Sequence, residues 1–272
     1  MINFQKNHFK DESFFDERIL TNQSENLILQ FENLDSSNTF AKKIDPDNLD
    51  RNTTLIIAEN QTAGHGRLNR SWFSTSKHSL TFTLIKKCQS NIQIELLPLI
   101  TALALTKAID HYVDPNMVDI KWPNDILIKN KKVAGILIEN RLFSEEQILF
   151  IGIGINIKSS NFPEEIINIA SSIEDHTNVS IDKDELLNVF LSEFEILFNS
   201  LCQSENNQMI DEYSKRSSYV QNKKISYIEN GHKKIGTSDG LDTNGALFCV
   251  DEKGDRHRLI VSEIHSIRKG EL

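Results

Sequence analysis

Hydrophobic positions along this chain change period several times, from strand-like runs to helix-like stripes. Apolar or alternating runs at residues 27–31, 53–57 and 79–85 are each bounded by Asn, Asp, Ser or Gly, which is the pattern of β-strands. Residues 96–113 instead repeat apolar side chains over a wide stripe with helical spacing, which predicts a helix buried in the core. Strands and helices are therefore intermixed along the chain.

The remaining pattern continues this alternation up to about residue 220. Further strands are predicted over residues 117–120, 126–128, 133–139 and 148–157, and further helices over 40–44, 185–201 and 208–216. Pro123 and the Asn-Asp pair after it separate two strands of a hairpin. In the polar first 26 residues, Phe14 and Phe15 predict a short helix packed on the body. This order predicts an α+β fold with a mixed β-sheet and flanking helices.

The pattern changes again near residue 220. Short strands are predicted at residues 224–228, 233–238, 247–250 and 256–260, with Gly-containing turns between them. Such a run of about 50 residues is typical of a small β-barrel. We therefore predict an N-terminal extension over residues 1–26, a main domain over 27–220 and a small C-terminal barrel over 221–272.

Composition excludes several classes of protein. The chain has 272 residues, 39% hydrophobic and 25% charged residues, and a net charge of −9, which argues against a dedicated nucleic-acid binder. The cysteines, Cys88, Cys202 and Cys249, are odd in number and widely spaced, which indicates neither a disulfide framework nor a zinc site. No signal peptide or membrane span is evident. We expect a cytoplasmic protein.

A polar loop follows the strand at residues 53–57 and combines glycines with arginines. Gly64 and Gly66 allow backbone conformations that other residues avoid, and Arg67 and Arg70 carry guanidinium groups that suit phosphate or carboxylate. The loop is not a Walker loop, because no lysine follows the second glycine and a strand comes next. Taken alone it predicts either an anion-binding loop or a solvated loop with ion-paired arginines.

Three more polar clusters follow strand ends, where binding groups commonly collect. Residues 36–38 either cap the next helix, which is the commoner use of Ser and Asn, or bind a polar head group. Lys121 begins a Lys-Trp-Pro-Asn-Asp turn, and taken alone is typical of an exposed lysine. Gly152 and Gly154, before Asn156, indicate tight strand packing or a group lying against the backbone. Cations among neutral hydrogen-bonding groups suit stabilisation of phosphate charge, without a protein nucleophile.

These clusters together resemble the motifs of the biotin protein ligases. The matching segments are residues 35–39, 61–67, 70–73, 121–125, 132–139 and 152–156. The Lys-Trp-Pro-Asn-Asp segment is the most specific, and the glycine-arginine loop comes second. The resemblance covers most of the chain and implies that the main domain is catalytic, binds biotin and ATP, and is followed by an SH3-like C-terminal barrel.

The resemblance implies a two-step reaction. Biotin carboxylate attacks the α-phosphate of ATP to form biotinyl-5′-AMP, and a lysine of a biotin carboxyl carrier domain, of acetyl-CoA carboxylase or a similar enzyme, then displaces AMP. Lys121 and Arg67 match the catalytic residues. The implied biotin-binding residues are Ser36, Ser37, Asn38, Gln61, Gly64, Gly66, Arg67, Lys121 and Gly135. The implied ATP-binding residues are Arg67, Arg70, Trp72, Lys121, Asn124 and Asn156. Mg²⁺ is expected as well, with unknown ligands and Asp125 as one candidate.

The chain departs from the family at two loop positions. His65 replaces an arginine with a side chain that titrates near neutrality, although it can also simply face solvent. Asn69 replaces a glycine and is the residue expected to take a left-handed backbone there. The first 26 residues are too few for the DNA-binding module of some relatives, so no DNA binding is expected. A monomer and a homodimer both stay open, as do a lipoate-type acyl ligase and a non-catalytic biotin or nucleotide sensor.

Overall fold

The computed structural model describes residues 14–18, 27–49, 53–74, 78–89, 91–143, 145–159, 162–203, 206–229, 232–260 and 264–266. The strands are β1 (Phe14–Arg18), β2 (Leu27–Leu34), β3 (Thr54–Gln61), β4 (Ser79–Gln89), β5 (Val118–Lys121), β6 (Asp125–Ile128), β7 (Lys131–Phe143), β8 (Glu146–Asn156), β9 (Gln221–Glu229), β10 (His232–Leu241), β11 (Leu247–Asp251), β12 (Arg256–Leu259) and β13 (Ile264–Ser266). The α-helices are α1 (Ser37–Ala41), α2 (Leu97–Ile109), α3 (Lys183–Cys202) and α4 (Asn206–Arg216).

The chain divides into two compact units. The first takes Met1–Asn91 and Ala134–Ile167, and the second takes Ile92–Val133 and Asn168–Leu272. In the first unit the strands lie in the order β1–β2–β3–β4–β8–β7. Strands β2 and β3 are parallel, and the other neighbouring pairs are antiparallel, so the predicted mixed sheet is confirmed.

Apolar side chains of β2, β3 and β8 form the core of the first unit together with α1. Phe31 and Phe40 are buried with ring centroids 4.6 Å apart, and Ile56 and Phe150 belong to the same cluster. Burial of this kind is the main favourable contribution to folding. It fixes α1 against the sheet, and the polar residues that open α1 are fixed with it.

Helix α1 begins earlier than the sequence pattern predicts. The helix starts at Ser37, whereas the apolar pattern predicted residues 40–44. Ser36 is the N-cap, because its Oγ accepts a hydrogen bond from the backbone N–H of Thr39 at 3.4 Å. The capping interpretation is therefore confirmed for Ser36, while Ser37 and Asn38 lie inside the first turn.

The predicted helix at Phe14 and Phe15 is wrong. Phe14–Arg18 forms β1, which pairs antiparallel with β2 in a register that places Phe14 opposite Phe31. A short apolar run carries too little periodicity to separate helix from strand. Here β2 offers backbone hydrogen-bonding groups along its edge, and pairing with them satisfies the groups of both strands.

Three longer helices, α2, α3 and α4, belong to the second unit. Helix α2 is buried along nearly its whole length, as its wide apolar stripe predicted, and α3 and α4 lie close to it. Lys107 of α2 joins Glu193 of α3 and Glu212 of α4 at 3.3 and 3.2 Å. Among the described residues, no helix is both long and apolar enough to cross a membrane.

The C-terminal strands of the second unit form a small sheet. It begins at Gln221, and its strands lie in the order β12–β11–β10–β9–β13 with every neighbouring pair antiparallel. The turns between its strands use Gly245 and Gly254, with φ of +77° and +90°, a backbone conformation that favours glycine. The predicted strands of this region are confirmed, and the domain boundaries stay a prediction.

A charged cluster on the small sheet surrounds His257. The Nε2 of His257 lies 3.0 Å from Asp251 Oδ2, and the Nδ1 of His257 lies 3.3 Å from Glu229 Oε1. The hydrogen bond with Asp251 raises the pKa of His257 above its usual value, and Asp251 has a lowered pKa for the same reason. Lys234 and His257 together lower the pKa of Glu229. The cluster is therefore most stabilising when His257 is protonated and both carboxylates are ionised.

This charge pattern predicts how the stability depends on pH. The contribution of His257 is complete below its unfolded pKa, about 6.5, and is lost as the pH rises through its higher folded pKa. The carboxylates contribute above their unfolded pKa, and their contribution is lost as the pH falls through the folded one. We expect His257→Gln to lower the melting temperature most at roughly pH 5 to 6, and to lower it less by about pH 9. Melting curves across this range, with the exposed His111→Gln as control, check this; a pH-independent loss would contradict it.

Candidate functional site

The glycine-arginine loop between β3 and β4 folds back on itself as a small hairpin. The carbonyl of Gly64 accepts a hydrogen bond from the N–H of Trp72 at 2.8 Å, and the N–H of Gly66 donates to the carbonyl of Arg70 at 2.7 Å. A bridge between His65 and Ser71 lies between these two contacts. The loop therefore has a shape defined by its own backbone hydrogen bonds.

The left-handed position of the loop is one residue earlier than expected. Leu68 has φ of +54° and ψ of +35°, whereas Asn69 was predicted to take this conformation. The Leu68 side chain is 69% exposed, so no packing interaction opposes the turn. A left-handed non-glycine residue costs about 1–2 kcal/mol, which the cross-loop hydrogen bonds offset.

The structure separates the two loop glycines and gives Gly64 a reason other than the one the sequence predicted. Neither has positive φ, so conformational freedom does not explain them. A Cβ on Gly64 would lie 2.8 Å from the carbonyl oxygen of Trp72 and 3.0 Å from Nε2 of Gln61, which is too close. A Cβ on Gly66 would have no neighbour nearer than 3.8 Å. Gly64 is therefore required for close packing, and Gly66 has open space around it.

Side chains from other parts of the first unit lie against the two glycines of β8. A Cβ on Gly154 would lie 2.5 Å from Cζ2 and 2.6 Å from Nε1 of Trp72, so the indole covers this residue. A Cβ on Gly152 would lie 3.0 Å from Nδ2 of Asn38. Residues two apart on a strand share a face. Trp72 and Asn38 therefore lie side by side on one face of β8, and close approach to the backbone explains both glycines.

Asn38 brings an unsatisfied polar group to this face. Its side chain is 3% exposed, and neither its Oδ1 nor its Nδ2 has a hydrogen-bond partner among the described residues. A buried amide without partners costs roughly 1–3 kcal/mol. Such a group at the start of a helix is available to a ligand that offers both a donor and an acceptor.

Gln61 and Thr83 fix the backbone next to Asn38. The N–H of Ser37 donates to Oε1 of Gln61 at 2.8 Å, and the hydroxyls of Ser37 and Thr83 are 2.9 Å apart. Thr83 lies opposite Gly152 in the β4–β8 register. Thr83 was not predicted as a site residue; its place in the Thr-rich alternation of β4 was the only signal.

The other first-unit predictions fall on the same strands. Gly135 of β7 is the register partner of Gly154, and Asn156 ends β8 opposite Ser79 with 5% exposure. The first unit therefore brings together seven of the predicted residues: Ser36, Ser37, Asn38, Gln61, Gly64, Trp72 and Gly135. Arg67 is half-buried and Arg70 is exposed on the loop.

Lys121, Asn124 and Asp125 belong to the second unit, and their role beside the first-unit residues stays a prediction. Lys121 ends β5, Asn124 lies in the turn, and Asp125 opens β6. The carboxylate of Asp125 forms an ion pair of 2.7 Å with Lys132. In the described part of the chain, no three or more His, Cys, Asp or Glu residues are grouped to hold a metal ion. Asp125 as a candidate Mg²⁺ ligand stays a prediction.

Comparisons with known proteins agree with this architecture. Residues 31–156 match the Biotin/lipoate A/B protein ligase family. The bifunctional ligase/repressor BirA of Bacillus spizizenii is 37% identical over 147 residues, which cover 52% of this chain and 45% of that protein. The biotin–[acetyl-CoA-carboxylase] ligase of Mycobacterium tuberculosis is 28% identical over 204 residues, 74% of each chain. A solved biotin protein ligase from Aquifex aeolicus, in complex with biotin and ATP, has a TM-score of 0.71 at 23% identity, over 88% of this chain and 99% of that one.

The fold is therefore that of the biotin protein ligases. The match to the Biotin/lipoate A/B protein ligase family is confined to residues 31–156. The alignment with the Bacillus relative covers 45% of that protein, which is less than half of its length. The site residues of β2–β4, β7 and β8 described above all lie within or beside the matched segment.

Proposed function

We propose that this chain is an ATP-dependent ligase that converts biotin to biotinyl-5′-AMP and transfers biotin to a lysine of a biotin carboxyl carrier domain. The observation that carries the proposal is the buried, unpartnered amide of Asn38 beside the Trp72 indole on the glycine face of β8. Such a surface combines a polar end and an apolar wall, as a bicyclic urea with an aliphatic tail requires. The names of the relatives support the same substrate.

Recognition of the ureido ring is proposed for the residues around the start of α1. The ring offers N–H donors and a carbonyl acceptor, and Asn38 offers an acceptor and two donors. Ser36, Ser37 and Gln61 provide further hydroxyl and amide groups there. Gly135 lies opposite Gly154 and has no side chain to fill the space, so we propose it as part of the slot for the rest of biotin.

Activation of biotin is proposed to depend on positioned charge. Attack on the α-phosphate increases negative charge on the phosphate oxygens and on the departing pyrophosphate, and fixed cations stabilise that charge. We assign this role to Lys121 and Arg67, and contacts with the nucleotide to Arg70, Trp72, Asn124 and Asn156. We propose that magnesium enters with ATP as the MgATP substrate, because Mg²⁺ commonly binds substrate phosphates with few protein ligands.

The glycine-arginine loop is proposed to shelter the adenylate. A mixed anhydride of biotin and AMP hydrolyses in water, so a loop that covers it prevents side reactions. The hairpin contacts hold the loop in shape, and the open space at Gly66 leaves room for a ligand to approach its backbone. His65 replaces one cation of this loop, and its effect stays a prediction.

An assay with a carrier domain tests the proposal. The protein is incubated with biotin, MgATP and a purified carrier domain, and biotin on the carrier lysine is measured by mass spectrometry. We expect ATP-dependent labelling and one AMP per biotin transferred. Biotin binding without any biotinyl-AMP would favour the non-catalytic sensor, and a melting temperature raised by lipoate instead of biotin would favour the acyl ligase.

Asn38→Ala separates binding from stability. The substitution removes two unsatisfied buried groups, so we expect unchanged or higher melting temperature together with biotin affinity weakened roughly tenfold. Calorimetric titration and thermal melting measure the two effects. Asn33→Ala is the control, because Asn33 already accepts a hydrogen bond from Asn60 at 3.1 Å and lies at an exposed position. Equal biotin affinity in wild type and Asn38→Ala would remove Asn38 from the site.

Three further statements stay predictions. The small C-terminal sheet is proposed to close as an SH3-like barrel. Carrier identity is proposed from the names of the relatives, which act on acetyl-CoA carboxylase. A monomeric or homodimeric state and the absence of DNA binding are expected from the sequence alone.

A further inference from the structure

Trp122 of the Lys-Trp-Pro-Asn-Asp turn is held by the C-terminal sheet. The indole is 2% exposed, and its Nε1 donates a hydrogen bond of 3.0 Å to the carbonyl of Gly245. Both residues lie in the second unit. Gly245 lies in the turn between β10 and β11, 123 positions away along the chain. A residue next to Lys121 is thus tied to a distant turn.

The turn that holds Trp122 is itself fixed. Gly245 has φ of +77°, and a Cβ there would lie 2.9 Å from Leu99 and 3.0 Å from Leu96 of the α2 region. Asp242 Oδ1 accepts hydrogen bonds from the N–H groups of Asn244 and Ala246 at 2.8 and 2.9 Å. The Gly245 carbonyl therefore has little freedom to move, and it presents a rigid acceptor to the indole.

The residues on the other side of Lys121 are held by the segment that leads into the same sheet. The hydroxyl of Ser217 donates to the carbonyl of Ile120 at 2.6 Å. The N–H and the hydroxyl of Ser218 donate to the Asp119 carboxylate at 2.8 and 2.6 Å. The backbone is thus fixed immediately before Lys121 by the residues preceding β9, and immediately after it by the β10–β11 turn.

We propose that Gly245 and Trp122 are positioning residues for Lys121: the Gly245 carbonyl orients the indole and so fixes the direction from which the Lys121 ammonium meets the reacting phosphate. This inference rests on the proposed function. It gives the C-terminal sheet a part in biotin activation through its contact with the end of β5. The geometry of a catalytic group matters steeply, because a displacement of about 1 Å can cost a hundredfold in rate.

Trp122→Phe tests the contact directly. It keeps an aromatic ring in the buried site and removes the indole N–H. We expect kcat for biotinyl-AMP formation to fall roughly tenfold to a hundredfold, with the KM for biotin changed less than about twofold. Tyr112→Phe is the control, since it also removes a hydrogen-bond donor from a buried aromatic residue of the same unit. The donor lost there is the Tyr112 hydroxyl, which donates to Glu185 at 3.0 Å. We expect a lower melting temperature for Trp122→Phe, because the smaller ring leaves a cavity in a buried site, and near-wild-type kcat for Tyr112→Phe.

A double-mutant cycle separates positioning from a general loss of structure. If Trp122 acts through Lys121, Trp122→Phe should lower kcat by less than about twofold in a Lys121→Ala background. Equal losses in both backgrounds would overturn the proposal. So would wild-type kcat in Trp122→Phe, or a loss of kcat matched by a similar loss in Tyr112→Phe.

A measurement on the contact itself does not depend on turnover. The chain has two tryptophans, so ¹⁵N-labelled indole groups give two N–H signals, and Trp72→Phe assigns them. We expect the Trp122 N–H to exchange slowly in wild type and to shift and exchange faster in Gly245→Ala. An unchanged signal in a folded Gly245→Ala protein would overturn the proposal. Active wild-type protein with an unaffected Trp122→Phe variant overturns this inference alone, whereas wild type that forms no biotinyl-AMP overturns both proposals.

Discussion

Replacing Lys121 with alanine is expected to lower the rate of biotinyl-AMP formation by roughly a hundredfold to a thousandfold. Negative charge grows on the α-phosphate and pyrophosphate in the transition state, and one fixed donor or cation aimed at such charge contributes about 3–4 kcal/mol. The loss should appear in kcat more than in the KM for biotin, because the additional negative charge on the α-phosphate and pyrophosphate develops only in the transition state.

The fold of the Lys121→Ala protein should survive. Lys121 is half-buried at the end of β5, while the core contacts around it come from its neighbours Ile120 and Trp122, which are 0% and 2% exposed. Release of AMP or pyrophosphate measures the rate, and thermal melting checks the fold. Lys131→Ala, at an exposed position near the start of β7, removes the same charge from the same unit and should keep wild-type turnover. Undiminished turnover in Lys121→Ala would remove this lysine from the catalytic residues.

Replacing Gly154 with alanine is expected to displace the Trp72 indole from the face of β8. The new methyl group would lie 2.5 Å from ring carbon Cζ2, and neither the strand nor the ring can accept this without moving. Overpacking of this kind costs about 1–3 kcal/mol of stability. If Trp72 walls the adenylate site as proposed, adenylate affinity should also fall on the order of a hundredfold, which is about 2.7 kcal/mol.

Two measurements check this expectation. Thermal melting gives the loss of stability, and Gly66→Ala is the control for it, since a Cβ at Gly66 has no neighbour within 3.4 Å and should leave the melting temperature unchanged. Calorimetric titration with a non-hydrolysable biotinyl-adenylate analogue gives the affinity. Tight binding by a destabilised Gly154→Ala protein would show that Trp72 packs on the strand without forming the ligand wall.

The elements of the fold could be read from local pattern. The buried helix at residues 97–109 and the glycine-punctuated strands after residue 220 lie where their periodicities predict them. Errors arose where local pattern is weak. The chain at Phe14 forms a strand because β2 offers it a pairing edge, and α1 begins at Ser37 because Ser36 caps it and Phe40 packs on Phe31.

For several residues of the candidate site, the sequence pointed to the segment but not to the physical reason for the residue. Side chains of Asn38 and Trp72 lie over the backbone of Gly152 and Gly154, and the backbone carbonyl of Trp72 lies against Gly64. The left-handed turn falls on Leu68 and not on Asn69, because hydrogen bonds across the loop set the register of the turn. Thr83 could not be distinguished from other strand threonines without its hydroxyl contact with Ser37.

Apart from the strand at Phe14, local sequence was enough to predict the order of strands and helices, the mixed α+β class and the segments that carry polar groups, because periodicity and turn chemistry act over a few residues. Two further features are visible in the folded chain alone: Asn38 and Trp72 share one face of β8, and Gly245 holds the indole beside Lys121. These contacts join residues far apart in the chain. They depend on strand register and on the space left by missing side chains, and neither is encoded within a local stretch of sequence.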